Sequence, residues 1–178
     1  LDRPPDTHGL HRSEKALRAL ERVKKATLAV LEGTCRGGGV QLALACDVRL
    51  ASQSARLTLD EVKMGFLPGM ATWRLPKFVG LGRARELLAT GRTVSAQEAR
   101  EIGLVDRVCQ DSETDQATDR FLADLLPVNG TALALTRRLL DEASSTPYET
   151  AVGNFLAAQS RCITSDPFLQ LCRSPPRD

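Results

Sequence analysis

Three consecutive glycines, Gly37, Gly38 and Gly39, stand directly before an apolar, helix-forming run in GTCRGGGVQLALACDVRLAS, residues 33–52. Glycine turns the chain tightly and lets a ligand approach the backbone. The first turn of the adjoining helix carries unpaired N–H donors and the positive end of the helix dipole. Such a place can hold a phosphate or the developing oxyanion of a carbonyl. The phosphate reading is poor, because no G-x-x-x-x-G-K-[ST] occurs and GGGVQLA is not G-x-G-x-x-G. The oxyanion reading needs a carboxylate or another base nearby, since enolate chemistry must also move a proton. On this stretch alone the alternative stays open that the glycines merely pack a helix against a strand.

The elements that must position these groups can be read from hydrophobic spacing. Residues 1–9 hold two prolines and a glycine and read as a loop. Leu10, Leu17, Leu20 and Val23 recur among charges and predict an amphipathic helix from Leu10 to about Ala26. TLAVLE (27–32) reads as a buried strand ended by glycine. The triple glycine comes next, then a helix over 38–46, a strand over 47–52 and a candidate third strand at 56–59. DEVKMGFLPGM (60–70) mixes acids, glycine and proline, as a loop lining a site does. Helical segments are expected near 71–79, 81–90, 95–102 and 115–126, with a short strand at 104–109 between the last two. Helices around 131–143 and 147–163 end the ordered part, and RSPPRD should be loose. Strands interleaved with helices, and then helices alone, give an α/β class with a helical C-terminal part.

Composition narrows the function classes. The 178 residues are 42% hydrophobic and 26% charged, with a net charge of +2. Only 4% are aromatic, so neither a basic surface nor stacking platforms point to nucleic acid. Arg12, Lys15, Arg18, Arg22, Lys24 and Lys25 cluster early. Glu14 and Glu21 lie four residues before Arg18 and Lys25, which predicts helical ion pairs and a solvated face. The five cysteines, Cys35, Cys46, Cys109, Cys162 and Cys172, are odd in number, scattered and far in sequence from His8 and His11. This argues for a reducing compartment and against a zinc site or a disulfide framework. Cys35 reads as a small buried hydrophobe rather than a nucleophile. No signal peptide and no membrane-spanning run is visible, so an intracellular, cytoplasmic protein is expected.

Taken together, the order GGG, LACD, ARL, E, G, PG, RLP, G, LL-TG, A-EA and GLV over residues 27–108 resembles the crotonase family, the enoyl-CoA hydratases and isomerases. ALALTRRLLDEASS and FLAAQSRCITSDPF are similar to the family's last helices. The resemblance implies a spiral of ββα units, here lacking its N-terminal strands, as a core over 1–110. It also implies a helical part over 111–178 that closes the pocket and forms a homotrimer or hexamer. It assigns Gly38 N–H to one half of an oxyanion hole for an acyl-CoA thioester, flanked by Gly37 and Gly39. The family's two glutamates fall at Gln41 and Glu61. The departure at Gln41 carries information, because an amide cannot accept a proton at neutral pH. With Glu61 as the single base, double-bond isomerisation or dehydration is favoured over hydration. Neither a metal nor a redox cofactor is implied; coenzyme A enters as part of the substrate. The competing reading is a non-catalytic helper subunit that stimulates a partner enzyme such as a polyketide synthase.

Two further features depart from the family's usual pattern. PGMATWRL is one residue short, with bulky Met70 and Trp73 where the family's acyl pocket has small residues. Its PGMA-x-x-RL form is similar to that of crotonase-like proteins of dihydroxyphenylacetyl-CoA formation. Core packing is the alternative for Trp73. Asp60, beside Glu61, should point the opposite way and act as a solvated or capping residue. Only 36 residues precede Gly37, so the second oxyanion donor has no assignable position.

Overall fold

In the computed structural model, which describes residues 6–173, the first helix begins earlier than its apolar spacing predicts. α1 spans Thr7–Glu21, because the Asp6 carboxylate accepts the Gly9 N–H and caps it. Residues 7–9 are therefore helix rather than loop, and α1 stops at Glu21 rather than near Ala26. Most of the tail expected to be loose lies outside the described residues.

Among the described residues six short strands form two sheets. β1 (Leu28–Leu31), β3 (Val48–Ser52) and β6 (Arg107–Cys109) are parallel in the order β1-β3-β6. β2 (Thr34–Arg36) and β4 (Arg56–Thr58) are parallel, and β5 (Thr93–Ser95) joins β4 antiparallel. Successive pairs of strands thus place one strand in each sheet, which is the expected ββα spiral. β2 and β5 escape the pattern reading, since three residues of alternating exposure offer no apolar run.

Helices close the spiral. α2 (Gly38–Leu44) buries Val40, Ala43 and Leu44. α3 (Ala71–Thr90) is interrupted at Gly80, where φ is 77°, giving the two segments expected on either side. α4 (Ala96–Glu101) starts on Ser95, whose hydroxyl accepts the Glu98 N–H. Leu50, Leu57, Leu75, Val40 and Val105 are the largest apolar side chains fully enclosed. The aspartates of LACD and GLVD brace this core. Asp47 accepts the N–H and hydroxyl of Thr27 at 2.7 and 2.8 Å, tying the start of β1 to that of β3. Asp106 accepts the backbone N–H and the guanidinium of buried Arg49, both at 2.8 Å. The same guanidinium also donates to the carbonyls of Leu104 and Cys46 and lies 4.1 Å from the Phe78 ring centre.

The chain divides into two compact units, one holding the residues up to 23 with 27–123, the other 24–26 with those from 124 on. α5 (Thr114–Leu125) crosses the division. The second unit contains α6 (Gly130–Glu142), α7 (Tyr148–Ile163) and α8 (Asp166–Arg173), the last not foreseen from spacing. Asn129 caps α6 by accepting the N–H groups of Thr131 and Ala132. Within this unit Arg137 donates to the Lys25 carbonyl at 2.6 Å. All five cysteines are free. Among the described residues no helix is long and apolar enough to cross a membrane.

α1 buries no residue fully, so a polar anchor matters more for it than packing. Arg74 of α3, only 4% exposed, donates to Glu21 at 2.7 Å and to Glu14 at 3.0 Å. Glu14 therefore serves α3 rather than Arg18, which pairs with Glu21. Burial disfavours the charged form of Glu21, but Arg74 and Arg18 outweigh it and hold its carboxyl below the ordinary 4.5. A carboxyl held low in the fold gives stability that is complete above its unfolded value and is lost as pH falls through the folded one. Urea unfolding across the acid range checks this. The wild type should weaken as pH drops below about 4.5, while Glu21→Gln should start weaker at pH 7 and lose less with acid. Parallel curves would refute the anchor.

Candidate active site

The parallel pairing of β2 and β4 brings the glycine turn to the carboxylate. Gly37 comes directly after β2 and donates its N–H to the Thr58 carbonyl at 2.9 Å. Its φ of 51° and ψ of −110° turn the chain into α2, whose first helical bond runs from Gln41 N–H to Gly37 O at 3.0 Å. Gly38, Gly39 and Val40 form the first turn, where N–H groups have no intrahelical acceptor. Val40 is buried, but Gly38 and Gly39 are exposed.

Among the described residues, nothing beyond their own helix packs where side chains of those two glycines would stand. Neither has a positive φ. A Cβ added to either would meet no atom within 4 Å. Packing of helix on strand, the alternative left open by the sequence, therefore does not account for them. What their missing side chains provide is open access to the backbone donors. Gly37 is different: its positive φ favours glycine, and a Cβ there would crowd Glu61 Oε1 at 3.0 Å.

Glu61 opens a 3-10 turn, Glu61–Met64, just beyond β4. It is only 7% exposed, and its Oε2 is buried without a hydrogen-bond partner among the described residues. A buried acceptor left unpaired costs about 1–3 kcal/mol, more when charged, so such groups concentrate where a ligand will use them. Gln41, one helical turn beyond Gly37, lies against the 68–70 turn. A Cβ on Gly69 would come within 2.6 Å of Gln41 Oε1 and 3.1 Å of Nε2. Gly69 belongs to the candidate site through this contact with Gln41, and the sequence reading missed it; its signal was the PG pair in the candidate loop.

The structure thus sets Glu61 against Gly37, which leads directly into Gly38 at the start of α2, and sets Gln41, further along that helix, against Gly69. Met70 and Trp73 sit at the start of α3, 39% and 48% exposed. Core packing is excluded for Trp73, whose ring is covered by the Lys77 ammonium 3.1 Å from its centre. Asp60 is neither free in solvent nor a side-chain cap. It forms a two-point pair with Arg36 at 2.8 and 2.7 Å, which holds its carboxyl below the ordinary 3.8. Cys35 is half-buried against the core, and burial pushes its thiol up, away from the reactive thiolate. Among the described residues no group of three or more His, Cys, Asp or Glu side chains is placed to hold a metal ion.

With this arrangement in place, comparison with known proteins is informative. The enoyl-CoA hydratase/isomerase family model matches residues 5–163. The short-chain-enoyl-CoA hydratase of Clostridium acetobutylicum is 31% identical over 85% of this chain and 59% of its own length. The crystal structure of a Bacillus anthracis enoyl-CoA hydratase superposes with a TM-score of 0.89 at 30% identity, covering 93% of this chain and 65% of that one. A Thermobifida fusca crystal structure in complex with acetoacetyl-CoA is 34% identical over 88% of this chain and 62% of its own, with a TM-score of 0.83. The chain therefore spans less than two thirds of the length of these relatives. A match over nearly the whole chain, on a glycine turn set beside a buried glutamate, places the chain in the enoyl-CoA hydratase/isomerase family, the crotonases.

Proposed function

We propose that this chain belongs to an enzyme that acts on acyl-CoA thioesters by single-base proton transfer, shifting a double bond or removing a β-hydroxyl. The observation that carries the reading is the open first turn of α2 beside the buried, unpaired oxygen of Glu61. Similarity to a structure bound to acetoacetyl-CoA supports the substrate class.

In this reading the thioester oxygen sits on the Gly38 N–H, between Gly37 and Gly39. Glu61 takes a proton from the carbon next to the carbonyl, and the electron pair moves onto the oxygen held at Gly38. Isomerisation results if the proton returns to the γ-carbon of the dienolate. Dehydration results if it goes to a β-hydroxyl, which leaves as water. Neither course changes oxidation state overall, and the thioester itself acidifies the α-proton, so the scheme uses no redox cofactor or metal. Gln41 holds the substrate or a water, since its amide cannot act as a second base. Met70 and Trp73, exposed at the start of α3, are assigned to the acyl pocket. A cytoplasmic homotrimer or hexamer remains part of the proposal; free cysteines favour the reducing compartment. The unpaired buried oxygen of Glu61 favours an enzyme over a helper subunit, in which it would serve nothing.

The test is exchange of α- and γ-protons of short enoyl-CoA and 3-oxoacyl-CoA thioesters in D2O. Glu61→Gln should slow exchange by roughly 10²–10⁴ with its circular dichroism unchanged. Equal exchange by both proteins, or none by the wild type despite CoA binding, would overturn the reading. A second measurement addresses Gln41. Gln41→Glu supplies the missing carboxylate and should raise hydration of crotonyl-CoA about 10–100-fold; unchanged hydration would mean that Gln41 does not set the reaction.

A further inference from the structure

Glu61 owes its place to a turn that is held from two sides. On one side, Arg36 at the end of β2 grips Asp60 through two parallel bonds at 2.8 and 2.7 Å. On the other, the turn after α3 closes on the same residue. A Cβ on Gly91 would stand 2.9 Å from the Asp60 Cα, and Lys63 Nζ donates to the Gly91 carbonyl at 2.7 Å. Asp60 and Glu61 are adjacent carboxylates; Glu61 lies against Gly37, just before α2, while Asp60 is held by Arg36. Without a partner, Asp60 would be a second anion one residue from the proposed base.

We propose that Arg36 is a positioning residue for Glu61: its two-point pair with Asp60 fixes the turn that carries Glu61 and neutralises the neighbouring charge. This rests on the assignment of Glu61 as the base. Arg36 does not touch the reacting atoms; it acts through Asp60. Planar two-point pairing is what guanidinium provides and ammonium does not, so lysine is no equivalent here. The pair is a property of the parallel register, which sets Arg36 opposite Thr58 and so within reach of Asp60 two residues on.

Charged groups stand on the elements that flank Glu61. β2 contributes Arg36, and the turn itself contributes Asp60 and Lys63. α2 faces it with uncharged Gly37, while Arg74 of α3 is spent on Glu14 and Glu21. Removing Arg36 takes away a cation and releases an anion. Both changes disfavour the ionised carboxylate, so the pH at which the base becomes active should rise.

The experiment is the pH profile of thioester proton exchange in D2O for wild type, Glu61→Gln, Arg36→Met, Arg36→Lys and Arg36→Met/Asp60→Asn. Arg36→Met should cut exchange at pH 7 about tenfold through misplacement and move the acidic limb to higher pH. Arg36→Lys should hold the limb but recover only part of the rate. In the double variant the limb should return toward the wild-type position while the rate stays low. The Arg36 side chain is 56% exposed, so these variants should fold, and circular dichroism and melting check it. Glu61-dependent exchange with the wild-type limb and rate in Arg36→Met would overturn the proposal alone. Absence of Glu61-dependent exchange in the wild type would overturn the base assignment and this proposal with it.

Discussion

The site depends on one backbone interaction, the parallel pairing of β2 with β4. Its register sets Thr34, Cys35 and Arg36 beside Arg56, Leu57 and Thr58, and it ends with the Gly37 N–H on the Thr58 carbonyl. Because the strands run the same way, the segments leaving them emerge at the same end of the sheet. After β2 comes the helix N-terminus with its donors; after β4 comes the turn with Glu61. A slip of one residue would turn every side chain of β4 to the other face and separate the two. The carboxyl end of parallel strands is where α/β folds place ligands, and here the physical reason is visible in a single hydrogen bond.

The groups so positioned are costly to the fold. Among the described residues, a carboxyl that is 7% exposed has an oxygen with no partner, and two glycines are kept where neither sterics nor backbone conformation asks for them. Glycine in a helix also costs roughly 0.5–1 kcal/mol against alanine. These costs are offset by the apolar core between the sheets and helices and by Arg49, which satisfies two carbonyls and a carboxylate from a fully buried position. Gln41 differs from a second carboxylate, because its amide rests on Gly69 and carries no charge.

Much of this was legible from residue order. Short apolar runs gave β1, β3 and the helices of the core, and the resemblance assigned roles to Gly38, Gln41 and Glu61. The features that stayed hidden depend on pairing between distant segments. β2 and β5 are three-residue strands with no apolar signature, so they exist only through their partner β4. Asp60 read as solvated because its partner, Arg36, is 24 positions away and becomes a neighbour only through the β2–β4 register. Glu14 and Glu21 read as partners of their own helix, since nothing local signals a buried arginine on α3. The start of α1 was missed for a simpler reason: the cap at Asp6 comes after two prolines, and those drew the whole segment into the loop.

The central claim is that the first turn of α2 polarises a thioester carbonyl beside Glu61. The most direct measurement is the carbon-13 NMR shift of the carbonyl in carbonyl-labelled butyryl-CoA, free and bound to the wild-type protein. The saturated chain offers no double bond to move and no hydroxyl to expel, so the spectrum reports binding alone. Hydrogen bonding to the Gly38 N–H should move the bound carbonyl downfield of the free thioester. A bound carbonyl at the position of the free thioester, with the CoA signals showing full occupancy, would contradict the account.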